Sequence, residues 1–399
     1  MIDPDTIVRI AARGDGVTAD GRYAALAAPG DFLREDGSVD PGPNRREPAC
    51  RHFTKCGGCQ LQHLSDDAFA RYLTDRIVGG LEGQGLSAPI MLTPHLSPPH
   101  SRRRVALRAE RRGKQVLLGF NEGGSHKIVE IRECVVMRPE LFALIGPLRT
   151  LLPTLIRDKR SADIRMTWTD QGVDLMLAGV EAEGLAAAEA ITDFAAKHKL
   201  ARLSLDEGYG AATRWEPDPV TVTLGGVAVP LPEGSFLQAT SEGEAALVAA
   251  VKQIVSDAGE VADLFAGLGT FAFAVAGNIH AVEAARDMVL SLQSAANFAK
   301  RTITSEHRDL YRRPLTPAEL NRFDAVILDP PRAGAEEQVA ALAKSTVPRI
   351  AYVSCNPGTF ARDAKTLIEA GYSLSDITPV GQFRWSTHVE LVANFVRGA

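Results

Sequence analysis

Cysteine is scarce in this chain, at 5 of 399 residues, and aromatic side chains make up only 6%. So few thiols in so long a chain exclude a disulfide-held scaffold and fit a reducing compartment, so a cytoplasmic location is expected. The apolar runs are short and interrupted by glycine, and the acidic start M-I-D-P-D-T has no signal core, so neither secretion nor a membrane span is expected. An excess of positive charge is also missing. A net charge of -5 gives no global argument for a nucleic-acid partner, so any RNA contact has to rest on local clusters. No internal repeat or low-complexity segment stands out.

What is present divides into three parts. Residues 1–45 hold two strand-like runs, Ile7 to Ala12 and Tyr23 to Ala27, in a small β module, with Gly37 to Pro48 reading as a linker. Residues 46–235 predict an α+β unit: a helix over Ser65 to Leu81, a strand around Val105 to Ala109 and a hairpin about Gly172. A further helix is expected over Gly184 to Leu200. The strand alternates apolar residues with Arg104 and Arg108. Its basic face suits either an RNA backbone or a charge-guarded sheet edge. From 236 to 399, strands alternate with helical segments, which predicts an α/β fold with a mostly parallel, doubly wound sheet.

Three of the five cysteines, Cys50, Cys56 and Cys59, cluster around Gly57 and Gly58, and a fourth, Cys134, follows a strand-like run. Four thiolates in this pattern predict a metal site. The softness of sulfur leaves zinc or an iron–sulfur cluster as candidates, and spacing alone does not choose between them.

The cofactor signal is D-L-F-A-G-L-G-T, in which Gly267 and Gly269 let backbone approach a ligand at an expected helix start. Glu283 follows Asp263 at about 20 residues, the spacing at which a carboxylate reaches ribose hydroxyls. The third glycine of the dinucleotide fingerprint is lacking, and so is a Walker lysine. A nucleoside without phosphates fits better, S-adenosylmethionine being the common one, with Asp309 available to the adenine edge.

The reactive groups come last. Cys355 sits between a strand ending at Ser354 and a helix that Thr359 is expected to cap, where a thiolate is favoured. Asp329 ends the preceding strand, and His388 and Glu390 open the final one. A thiol, carboxylates and a methyl donor make one coherent reaction: addition of Cys355 to carbon 6 of a pyrimidine, methyl transfer to carbon 5, and removal of the carbon 5 proton by Glu390, with His388 orienting it.

From Cys50 to the end the chain resembles the RNA uracil-5 methyltransferase family, in its iron–sulfur branch acting on 23S ribosomal RNA. The resemblance rests on C-x5-C-G-G-C-x-x-Q-H, F-L-Q, D-L-F-A-G-L-G, L-D-P-P-R-A-G, Y-V-S-C-N-P and H-V-E in the family's order. It implies a class I S-adenosylmethionine-dependent methyltransferase fold and a [4Fe–4S] cluster on Cys50, Cys56, Cys59 and Cys134. It further implies cofactor contacts from Gln238, Phe265, Thr270, Glu283, Asp309 and Asp329, with Cys355 as nucleophile and Glu390 as base. The N-terminal segment is similar to the start of the family's TRAM domain, an OB-like RNA-binding barrel, and is expected to be truncated. Thr270 stands where the pattern often has Asn, and F-R-W-S-T replaces a proline-containing turn. The expected partner is RNA, ribosomal before transfer RNA, and a monomer is expected. The alternatives are a transfer-RNA uracil-5 methyltransferase and a non-catalytic RNA-binding assembly factor.

Overall fold

A computed structural model describes residues 2–398. Short runs of Val, Ile, Ala and Leu bounded by turn residues form strands buried on both faces, as in Ala325–Leu328 and Arg349–Ser354. They assemble a nine-stranded sheet. Its order begins Ile303–His307, Asn278–Glu283, Glu260–Leu264, Ala325–Leu328, Arg349–Ser354, all parallel. Glu390–Arg397 then enters antiparallel, followed by Tyr372–Gly381. Strand order reverses between Glu260–Leu264 and Ala325–Leu328, the crevice where ligands bind in open α/β sheets.

The sheet recruits residues from well before 236. Ile90–Met91 and His95–Leu96 pair with Tyr372–Gly381. Helix Asp66–Glu82, capped by Ser65, buries Phe69, Tyr72, Leu73 and Ile77 in the same core as Phe360 and Leu367. It crosses the later helix so closely that a Cβ on Gly80 would lie 2.9 Å from the Pro357 carbonyl oxygen. Only glycine tolerates that approach.

A separate seven-stranded sheet spans Arg104–Arg112 to Ala211–Trp215. It is antiparallel except where Gly172–Ala178 runs parallel to Arg202–Asp206. The expected hairpin is present, Ser161–Thr169 against Gly172–Ala178. At the start of the chain, Ile7–Ile10, Gly16–Thr18 and Tyr23–Ala24 form a three-stranded sheet.

The expected linker over Gly37 to Pro48 is instead fastened down. Val39–Asp40 pairs with Phe32–Leu33, and the buried Asp31 carboxylate accepts from the N–H groups of Gly42 (2.6 Å) and Ala28 (2.7 Å) and from Arg45 Nε (3.1 Å). A buried carboxylate with this many donors outweighs the flexibility that glycine and proline suggest. Asp31→Ala is expected to cost about 2–4 kcal/mol locally, because it strands two amides and a guanidinium. Hydrogen exchange across residues 5–45 should then accelerate while the nine-stranded sheet keeps its protection; unchanged exchange in this segment would remove Asp31 from that role.

Candidate active site

The strand register builds the reactive pair. Tyr352 pairs with Ala393 and Ser354 with Leu391, so one further step sets Cys355 across from Glu390 at the ends of neighbouring strands. On the other side Leu328 pairs with Tyr352, which brings Asp329 to the same edge. The turn after Cys355 is held by its own side chains: Ser354 Oγ accepts from the Asn356 N–H (3.2 Å) and Asn356 Nδ2 donates to the Arg332 carbonyl (3.1 Å). Asn356 caps helix Pro357–Glu369. The expected cap, Thr359, lies inside the helix because Pro357 is pre-set for the first helical position.

The thiol is not the depressed one that the helix start suggested. Burial, and then the nearby Glu390 and Asp329 carboxylates, push Cys355 up to about 11. The helix dipole is the weaker influence at this distance from two acids. Burial also raises Glu390 to about 8, Asp329 to about 7 and the fully buried Asp263 to about 8. In the ligand-free protein the floor of the cleft therefore carries protons near neutral pH.

His388 does not orient Glu390. It lies exposed in the loop ahead of the strand, tilted against Phe383, and no hydrogen bond joins it to Glu390 among the described residues. Gln382 takes that place, a residue with no signal in its sequence context. Its Oε1 accepts from the Ala239 N–H (3.0 Å), its Nε2 donates to Gln238 Oε1 (2.9 Å), and it hydrogen-bonds Glu390. With Gln238 Oε1 so engaged, the Gln238 amide nitrogen is left as a donor.

A candidate cofactor cradle forms where strand Glu260–Leu264 ends. Phe265 (φ 63°), Gly267 (φ 56°) and Gly269 (φ 89°) all have left-handed backbone, so the expected helix start is a series of turns. A Cβ at Gly267 would meet nothing within 4 Å, which leaves a backbone face open to a ligand. Glu283 accepts from the N–H groups of Gly267 (3.0 Å) and Ala285 (2.8 Å), which fixes its carboxylate beside the loop. The Phe265 ring lies 5.4 Å from that of Tyr311, and Tyr311 N–H donates to Asp309 (3.0 Å). Asp263 Oδ2 accepts from the Ala272 N–H (2.9 Å), while its buried Oδ1 has no partner. That oxygen, with Asp329 and Glu283, makes a floor suited to a positively charged ligand. Thr270 is half-buried at the far end of the same loop.

The four other cysteines come together in space. Cys50, Cys56, Cys59 and Cys134 line one cavity with Arg102 and Phe120. Burial pushes Cys59 up to about 12 and raises Cys50 and Cys56. Among the described residues, no group of three or more His, Cys, Asp or Glu side chains closes tightly enough for a single metal ion.

A doubly wound sheet with an adenosine-type cradle at its switch point defines the class, an S-adenosylmethionine-dependent methyltransferase. The family model for tRNA (Uracil-5-)-methyltransferase matches residues 294–395. An uncharacterised RNA methyltransferase of Zymomonas mobilis is 52% identical over 98% of this chain and 99% of its own length. The 23S rRNA (uracil(1939)-C(5))-methyltransferase RlmD of Pectobacterium atrosepticum is 30% identical over 90% of this chain and 82% of its own. In fold, the chain is similar to the Pyrococcus abyssi tRNA (uracil-54, C5)-methyltransferase in complex with S-adenosyl-L-homocysteine, with a TM-score of 0.73. The two are 22% identical, over 98% of this chain and 99% of that one. The chain belongs to the RNA uracil-5 methyltransferase family. No helix among the described residues is long and apolar enough to cross a membrane.

The raised carboxyl groups give the cofactor site a pH dependence. A cationic ligand placed beside Asp329 would favour its ionised form, which is lost as pH falls through about 7. S-adenosylmethionine should therefore release protons on binding near pH 6.5 and lose affinity by up to about tenfold per pH unit below that. Calorimetry in two buffers of different ionisation enthalpy reads both effects. Affinity independent of pH from 5.5 to 7 would refute the assignment, and Asp329→Asn should flatten the slope.

Proposed function

We propose that the protein methylates carbon 5 of a uridine in ribosomal RNA by covalent catalysis, with Cys355 as nucleophile and Glu390 as base. The observation that carries this reading is the register that sets thiol and carboxylate at facing strand ends beside Asp329. The likeness to RlmD over most of the chain supports ribosomal RNA. The similarity in fold to a tRNA methyltransferase makes transfer RNA the second reading. The N-terminal strands serve as a shortened RNA-binding module.

In this reading Gln238, Phe265, Gly267, Thr270, Glu283, Asp309 and Asp329 hold S-adenosylmethionine, with Phe265 against the adenine and Glu283 and Asp309 on ribose and base. When bound, the cofactor supplies an electrophilic methyl group. Positive charge beside Asp329 also offsets one of the two acids that hold the Cys355 thiol neutral. The thiol gives its proton to solvent, the thiolate adds to carbon 6, and the displaced electron pair enriches carbon 5 for methyl transfer. Glu390, held by Gln382 and ionised once positive charge shares the floor, takes the carbon 5 proton. The carbon–sulfur bond breaks as the ring double bond returns, freeing Cys355.

Cys50, Cys56, Cys59 and Cys134 would hold a [4Fe–4S] cluster. Four soft donors around one cavity fit it, since thiolate ligands suit an iron–sulfur cluster. Arg102, beside them, has no carboxylate partner among the described residues, so thiolate charge would complement it. Such a cluster would tie the Cys50 to Cys59 segment to Cys134 and could exchange one electron.

Two experiments test this reading. RNA containing 5-fluorouridine should trap the enzyme covalently through Cys355, and Cys355→Ala should neither trap nor turn over; full activity in that variant would end the covalent scheme. Glu390→Gln should slow turnover by about 10²- to 10⁴-fold and accumulate the adduct on ordinary RNA. For the cluster, protein isolated without air should be brown, with iron and sulfide in equal amounts. Colourless protein with stoichiometric zinc would overturn that assignment.

A further inference from the structure

Beside the reaction centre lies a second concave site that the chemistry above does not use. It is a cavity of about 270 Å³ between the face of the seven-stranded sheet and the segment that leads from Leu231 into Gln238. Arg104 and Arg165 reach it from neighbouring strands, in which Arg104 pairs with Thr167 and Arg165 with Ala106. The Arg104 guanidinium lies over the Phe236 ring, 5.0 Å from its centroid, and that of Arg102 lies over Phe383 at 5.3 Å.

The charge here is unbalanced. The one carboxylate lining the cavity, Asp174, is already engaged by Arg202 at 3.0 and 2.7 Å. Among the described residues neither Arg104 nor Arg165 forms an ion pair, although Arg104 lies within range of the charges of Arg165 and Arg102. Like charges gathered without acids favour an anion. Phe236 is 58% exposed, unusual for a phenylalanine at the mouth of a charged cavity. Arg104 donates to the Leu237 carbonyl at 3.3 Å, and an exposed aromatic ring beside guanidinium groups without a carboxylate partner is the chemistry that receives an unstacked base and its phosphate. Position gives the direction: Phe236 precedes Gln238 by two residues, and Phe383 directly follows Gln382, so the cavity adjoins the base-bearing network.

We propose that this cavity holds one unstacked nucleotide of the substrate, next to the one methylated, with its base on Phe236 and its phosphate between Arg104 and Arg165. The inference rests on RNA being the substrate and adds a determinant of which sequence is chosen. The basic strand Arg104–Arg112 lies between Gln115–Asn121 and Ser161–Thr169 and is therefore no edge, and its Arg104 acquires a ligand in this reading.

The test uses full-length enzyme and total RNA from a strain lacking it. Phe236→Ala should raise KM for RNA about tenfold or more, and Phe236→Trp should restore it. Arg165→Ala should weaken RNA binding and lower the slope of log affinity against log salt by about 1. Neither variant should change S-adenosylmethionine affinity by calorimetry. Wild-type KM in both alanine variants would overturn the proposal. A loss confined to Arg165→Ala would overturn the base-stacking part, leaving only a phosphate contact. If wild-type enzyme binds the cofactor but methylates no RNA, the functional reading fails instead, which is a separate outcome.

Discussion

One constraint organises the catalytic end of this protein: the antiparallel pairing of Glu390–Arg397 with Arg349–Ser354. Hydrogen-bonded strands sit about 5 Å apart and their side chains alternate, so register decides which residues face each other at the ends. A slip of one residue would turn Glu390 to the opposite face of the sheet. The parallel strand Ala325–Leu328 then adds Asp329 from the other side. Backbone ladders, among the stiffest parts of a fold, thus set the spacing of groups that have to exchange protons.

That spacing has an electrostatic consequence. Three acids, Asp263, Asp329 and Glu390, share a poorly solvated floor with one thiol, and burial raises every one of them. Negative charge here is costly until a positive ligand shares the site, so cofactor binding and ionisation are linked. Gln382 adds a neutral constraint, since one amide spans Gln238 and Glu390.

The N-terminal half supports the same edge from outside. The N–H groups of Gln60 and Leu61 donate to the Trp385 carbonyl at 2.8 and 2.9 Å, and Tyr72 Oη donates to the Thr387 carbonyl at 3.3 Å. The loop that leads into Glu390 is therefore held by residues that immediately follow the cysteine segment. Gly80 against Pro357 does the equivalent for the turn after Cys355. The F-R-W-S-T departure from the family's proline turn is accommodated here: Trp385 is buried, with the Arg46 and Arg384 guanidinium groups over its ring.

Much of this was legible in the chain itself. The change from antiparallel patterning to alternating strands and helices, the glycine loop after Asp263, and the placing of Cys355, Asp329 and Glu390 at strand ends are local signals, written in periodicity and turn residues over a few positions. The grouping of Cys134 with three distant cysteines was legible only through donor chemistry. Tertiary structure alone decided that Gln382 rather than His388 holds Glu390, that the thiol is raised rather than lowered, and that Asp31 pins a segment which reads as a linker. It also decided that Arg104 and Arg165 meet Phe236 around one cavity. Hydrogen-bond partners, desolvation and charge proximity depend on residues far apart in sequence, and no local pattern carries them.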